Sequence, residues 1–264
     1  MTNRLLARRA APFAVAGISL SLVLALAGCT TIPDASGAAA TAGSAAPAAA
    51  TYTARELSRV VERAATKLGV EGQELNDQQI KDATAKLGGG AGLSAMLGGA
   101  KVTYLPATCG DLITKALSGG VPKDLIAAQL TAGHTSITVS SNDGKPLTTA
   151  QKSSSAQPID DALNDCRTMT MSFDVAGVTT TADLTLKKAD LVTKAESTVA
   201  LEQTMVLTVG GQNISAVNTI VQGREGNLLI TVINSRTDQT TDADDPAATP
   251  DPVDAVNAVV ASAK

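Results

Sequence analysis

The sequence predicts an α+β fold: an antiparallel meander of about five to six strands, covered on one face by helices and stapled by one disulfide. Three observations carry this expectation. From Arg167 to Asn234 apolar residues recur with period two between glycine-containing turns, the signature of half-buried strands joined as hairpins. On either side of that block they recur with helical spacing. Two cysteines, Cys109 and Cys166, stand ahead of the alternating block.

The third cysteine, Cys29, has a different setting. Arg4, Arg8 and Arg9 precede a run from Ala10 to Ala27 rich in Ala, Val, Leu and Ile, which closes on Leu26-Ala27-Gly28-Cys29. This is the tripartite plan of a secretory signal, and its last four positions resemble the bacterial lipobox, in which the cysteine thiol is acylated and the signal cut just before it. An uncleaved membrane helix is the alternative reading. Pro12, Gly17 and the small residues at the end, with no basic cluster behind them, speak against it. Residues 1–28 are therefore expected to be a lipoprotein signal peptide. Cys29 is the expected lipidation site, and residues 29–51, made mostly of Ala, Thr, Gly, Ser and Pro, the expected tether. An anchor of two or more acyl chains holds firmly where one does not. The expected location is the outer face of the cell membrane.

With Cys29 committed, Cys109 and Cys166 form the one pair available. In an exported protein that reads as a disulfide rather than as two free thiols. Two cysteines and the single His134 do not make a metal set. Removing residues 1–28 takes away three arginines and no acids, so the net charge falls from −4 to −7. On that balance no basic stripe and no polybasic patch is expected, and nucleic acid is not an expected partner.

Residues 52–264 are expected to form a single α+β domain. Thr53 and Glu56 fit a capping box, Leu57, Val60, Val61, Ala64, Ala65 and Leu68 follow at helical intervals, and Gly69 ends the helix. A second helix is expected from Asp77 to Leu87, capped by Asn76 and ended by Gly88. The glycine-rich stretch that follows lacks the G-K-[ST] of a phosphate loop. Its Leu93, Met96 and Leu97 are candidates for a lid over an apolar ligand. Short helices are expected after Cys109 and up to Cys166, with a strand at "HTSITVSS" between them. The disulfide would then tie the helical layer to the start of the sheet. The meander runs through "RTMTMSFDV", "VTTTADLTL", "VALEQTMVLTV", "NISAVNTIVQ" and "NLLITVIN". A closing helix carries Val253, Val256, Val259 and Val260 on one face, with Asp251 or Asp254 near its start.

One sheet face would collect Met169, Met171, Phe173, Leu201, Met205, Leu207, Ile220, Ile230 and Val232, the other being rich in threonine. Of these, Met169, Met171, Phe173 and Met205 are the candidate ligand-lining residues, since methionines adapt to acyl chains. A stripe at strand spacing is first of all a core. His134 has no G-x-S-x-G partner and is expected in a solvent-facing turn. Asp242, Asp244 and Asp245 lack the calcium-loop pattern, and Asp160, Asp161 and Asp165 read as a wet helix face. Only Tyr52, Tyr104 and Phe173 are aromatic after residue 28, too few for sugar platforms or base stacking.

Lipobox, low-complexity tether, helix, a cysteine before a short helix, a second cysteine ahead of a meander, and a closing helix together resemble the actinobacterial envelope lipoproteins of the sensor-domain type. Those proteins are similar to the extracellular domain of mycobacterial receptor kinases. The likeness spans residues 53–264 and rests on layout and on Cys109 and Cys166. The kinase domain's second disulfide and core tryptophans have no counterpart in this chain, so its ligand cleft is not carried over to particular residues. The resemblance implies a surface-tethered, non-enzymatic binding or sensing module without a cofactor. The membrane, through the lipid anchor, is the first expected partner. A lipid, a cell-wall fragment or an envelope protein is the second. A purely structural role and, last, an extracytoplasmic hydrolase are the alternatives.

Overall fold

The computed structural model describes residues 50–87, 102–110, 124–153, 163–175, 178–209, 211–237 and 249–263. The signal, Cys29 and most of the tether lie outside these residues, as do Leu93, Met96, Leu97, Asp160, Asp161, Asp242, Asp244, Asp245 and most of the helices expected around the two cysteines.

The first helix, α1, runs Ala54–Leu68 as the spacing predicts. The backbone N–H and hydroxyl of Thr53 both donate to Glu56 Oε2, each at 2.8 Å. These two bonds hold the Glu56 carboxyl below the usual glutamate range, the backbone bond contributing most. The start of α1 therefore has this support at pH values above that range and loses it as the pH falls through the lowered pKa. Gly69 ends the helix in the left-handed region, at φ 67°. In α2, Asp77–Leu87, Asn76 and Gln79 exchange the same reciprocal bonds at 2.9 and 3.0 Å. A short α3 follows at Thr149–Ser153. The closing α4, Pro252–Ala263, begins with proline at its first position. Asp251 Oδ1 there accepts from the N–H groups of Val253 and Asp254.

Nine described strands form one antiparallel sheet, in the order β1-β3-β4-β9-β8-β7-β6-β5-β2. They are β1 Gln73–Leu75, β2 Thr103–Leu105, β3 Ile126–Ala132, β4 Thr135–Ser141, β5 Thr168–Val175, β6 Val178–Ala189, β7 Ser197–Val209, β8 Gln212–Glu225 and β9 Leu228–Thr237. The five-strand meander and the strand at 135–141 stand where the sequence puts them; the expected count is too low by β1, β2 and β3. β3 escapes notice because its first three residues are all buried and the alternation that follows, Ala128, Leu130 and Ala132 against Gln129 and Thr131, is short and carried mostly by alanine. β1 and β2 have three residues each and close the two edges of the sheet, a length that gives another chain little to pair with.

Two hairpin loops are set by glycine. Gly133-His134 joins β3 to β4 and Gly226-Asn227 joins β8 to β9. Each glycine leads its two-residue loop with a positive φ, 53° and 57°, the twist that a tight antiparallel connection needs.

Register decides which residues share a face, and it divides the expected apolar face in two. Val221 pairs with Val232 and Ile220 with Ile233, so Ile230 and Val232 lie opposite to Ile220. On the first face α1 and α4 pack over β3, β4, β8 and β9. Leu57, Val60, Val61, Ile137, Val139, Val221, Ile230, Val232, Val256 and Val259 form that core, each at most 1% exposed. Gly223 lets α4 sit close to β8, since a Cβ there would stand 3.3 Å from Val256 Cγ1 and from Ala195 Cβ.

The second face is covered at the other end of the sheet. Cys109, Cys166, Met169, Met171, Ala182, Leu184 and Leu186 form a cluster with Tyr104, Leu163 and Met205 packed against it. A smaller group, Leu201, Ile220 and Ile233, continues the same face toward β9. The expectation of helices on one face only is thus corrected. "NLLITVIN" is apolar in both registers, so its alternation could not say which set faces the helices.

Leu57→Ala should cost about 2–5 kcal/mol of unfolding free energy. Gly223→Val should cost about 1–3 kcal/mol, because the gap is already filled by α4. Urea denaturation of both variants checks these values.

Candidate functional site

The disulfide is present. Cys109 lies in a helical turn at residues 107–110, Cys166 directly after another at 163–165, and their Cα atoms are 5.7 Å apart. It ties short helical turns to the start of the meander, as the sequence suggests, but over the face opposite α1 and α4. It joins the turn that follows β2 to the turn that leads into β5. Both sulfurs are buried, at 0% and 1% residue exposure.

The four described candidate lining residues do come together. Met169, Leu184 and Met205 form one cross-strand row, and Met171, Ala182 and Leu207 the next. Phe173, paired with Thr180, extends the same side of β5. Met169 and Met171 are buried at 5% and 7% exposure, whereas Phe173 and Met205 are half-buried. Tyr104 on β2 pairs with Met171, and burial pushes its phenol pKa up. Gly110 admits that ring: a Cβ there would fall 2.6 Å from Tyr104 Cδ2.

Between this cluster and the group at Leu201, Ile220 and Ile233 lies a pair of buried side-chain amides. Gln203 and Asn218 are register partners on β7 and β8. They are 2% and 6% exposed, and Asn218 Nδ2 donates to Gln203 Oε1 at 3.1 Å. Alternation already sets Gln203 between Leu201 and Met205 and Asn218 two residues before Ile220, so their inward side was legible; that they face one another comes from the register. A buried amide pair flanked by methionine and aliphatic side chains offers a fixed polar point within an apolar surface.

A second concave feature sits where the chain enters the fold. A cleft of about 250 Å³ is lined by Ala50, Thr51, Tyr52, Glu56, Arg59, Val60 and Arg63. Its floor is tied down from three sides. Tyr52 Oη donates to Ala263 O at 3.1 Å and Asn227 Nδ2 to Ala50 O at 3.1 Å. Gly144 N–H donates to Tyr52 O at 2.8 Å. Burial first, and then the charge of Glu225, push the Tyr52 pKa up, which keeps its hydroxyl a donor. Arg63 donates to Ser262 O at the end of α4.

α1 also corrects the expectation of no basic stripe. Arg55, Arg59, Arg63 and Lys67 recur every four residues and all are exposed. They form one ridge along the helix, with Glu56 and Glu62 at its margins. Chain-wide acidity hid it, although the interval was legible once the helix was assigned.

His134 lies exposed in the β3–β4 loop, its N–H donating to Thr249 Oγ1 at 3.3 Å. Asp165 is exposed. Among the described residues no three His, Cys, Asp or Glu side chains come together as a metal set, and no helix is long and apolar enough to cross a membrane.

No protein-family model matches the chain, and no curated protein matches it significantly. It is similar to the X-ray structure of an uncharacterised protein from Mycobacterium smegmatis, the Rv0999 ortholog. That likeness has 10% identity and a TM-score of 0.33, and covers 78% of this chain and 96% of that one.

The disulfide closes a loop across a sequence separation of 57 residues, which the chain-entropy relation values at about 4 kcal/mol. Replacing both cysteines by alanine should lower the unfolding free energy by about 2–4 kcal/mol in urea titrations.

Proposed function

We propose that the protein is a lipoprotein held by Cys29 on the outer face of the cytoplasmic membrane, and that residues 52–264 form a single non-enzymatic binding or sensing module. The reading of the address rests on Leu26-Ala27-Gly28-Cys29 behind an apolar run and a basic start. The oxidised pair Cys109 and Cys166 agrees with it, because disulfides persist in exported proteins.

The observation that carries the binding role is the mixed character of the second sheet face. Met169, Met171 and Met205 lie to one side of the Gln203 and Asn218 amides, and Leu201, Ile220 and Ile233 to the other. An amphiphile fits such a surface, with its aliphatic part among the methionines and a carbonyl or hydroxyl at the amides. The ligand class is therefore a lipid or a lipid-linked cell-wall fragment.

Native mass spectrometry with organic extraction, on protein purified from its own envelope, should give a stoichiometric amphiphile. The Gln203→Leu/Asn218→Leu variant should lose that ligand while keeping its stability within about 1 kcal/mol, since both halves of the bond are removed together. A clean ligand-free mass would contradict the carrier role and direct attention to a protein partner. Cys29→Ala should release the protein from the membrane fraction; continued tight attachment would sink the lipoprotein reading.

A further inference from the structure

We propose that the outward face of α1, together with the cleft at its start, docks on the anionic phospholipid headgroups of the membrane to which the protein is anchored. The inference rests on the lipoprotein reading and adds an orientation to it. Three observations converge on this face.

The first is charge. Arg55, Arg59, Arg63 and Lys67 stand in one exposed row, while the acids that share the helix surface are Glu56 and Glu62. The Glu56 carboxylate is turned back on Thr53 by two hydrogen bonds of 2.8 Å. α1 thus carries an excess of two positive charges on a chain whose net charge, without residues 1–28, is −7. Glu225 faces Tyr52 from the sheet. Glu74 stands near Glu62. With these acids counted the wider surface is balanced in charge, and the basic character belongs to the row Arg55, Arg59, Arg63 and Lys67 itself. Basic residues near an anionic leaflet each add attraction that fades within a Debye length.

The second is shape. The cleft of about 250 Å³ places Arg59 and Arg63 around one concavity, with the Glu56 carboxylate, held by Thr53, and Tyr52, whose hydroxyl is committed to Ala263 O, on the same lining. Arginine presents several N–H donors in a planar fork that matches phosphate. Arg63 is steadied by its bond to Ser262 O, so a phosphate seated there meets a donor that is already ordered.

The third is position. Ala50 and Thr51 line the same cleft, and Ala50 follows Cys29 by 21 residues. A chain of that length reaches at most about 70 Å. It keeps the basic ridge near the leaflet and turns docking into an intramolecular step. Three bonds fix Tyr52 and Ala50 to the end of α4, to Asn227 and to Gly144, directly ahead of α1.

The test uses the full lipidated chain in vesicles of phosphatidylcholine, with or without phosphatidylglycerol, carrying a headgroup quencher. A fluorophore is placed by Thr66→Cys on α1, or by Gln212→Cys at the far end of the β7–β8 hairpin. Quenching at position 66 should exceed that at 212 several-fold in anionic vesicles. The difference should vanish in phosphatidylcholine alone, at high salt, or in the Arg55→Glu/Arg59→Glu variant. Equal quenching at both positions, or indifference to lipid charge, would overturn the docking. Intact mass of the same sample reads the acyl groups on Cys29 separately. If they are absent, the lipoprotein reading fails on its own, and sedimentation of the unlipidated full chain with the two vesicle types decides the docking. Binding to anionic vesicles should then weaken by at least about tenfold in the double variant, and no binding would refute it.

Discussion

A sheet of nine strands has more apolar surface than two helices can shelter, and the rest of this structure follows from how that surface is divided. α1 and α4 cover one face at the β3-β4-β9-β8 end. They leave β5, β6 and the outer half of β7 bare on that side, and these strands turn threonine, serine, aspartate and lysine to it. Their apolar residues point the other way, where the helical turns bearing Cys109 and Cys166 close over them. The disulfide is the fixed part of that second cover, because the turns it joins are short and have little helical stability of their own.

Polar side chains fix the seams between these parts. Asp77 Oδ1 accepts from Ala127 N–H at 3.0 Å, where the short β1 no longer pairs with β3. Thr135, fully buried, donates to Pro250 O and accepts from Asn234 Nδ2, which ties β4 and β9 to the start of α4. Asn227 accepts from Leu147 N–H and donates to Ala50 O. The point where the chain enters the fold is thereby joined to the loop after β4. All but the side-chain bond between Asn234 and Thr135 satisfy a backbone group.

Local signals in the sequence translated directly into structure. Thr53 and Glu56 form the expected box, Gly69 stops α1, and β5 to β9 follow the alternation of "RTMTMSFDV" through "NLLITVIN". Long-range signals did not. β1 and β2 are three residues long, and β3 alternates over only its last five residues with alanine at two of the three inward positions, so none carries a strong period. Alternation places residues on two faces but does not say which strand continues which face. Ile230 and Val232 were therefore grouped with Met205, although the β8–β9 register sets them opposite. The inward side of Gln203 and Asn218 is set by alternation with Leu201, Met205 and Ile220 on their own strands, and only their pairing needed the β7–β8 register. The basic ridge of α1 was hidden differently, since a net charge sums over a surface on which only neighbours act together.

Two cores on opposite faces of one sheet, the second held by the disulfide, make up the central claim. Residue-resolved hydrogen exchange with Cys109–Cys166 reduced and alkylated tests it most directly. Amides of β5 and β6 should lose protection, while those of α1, α4, β4 and β9 keep most of theirs. A uniform loss across the whole sheet, or none in β5 and β6, would contradict it.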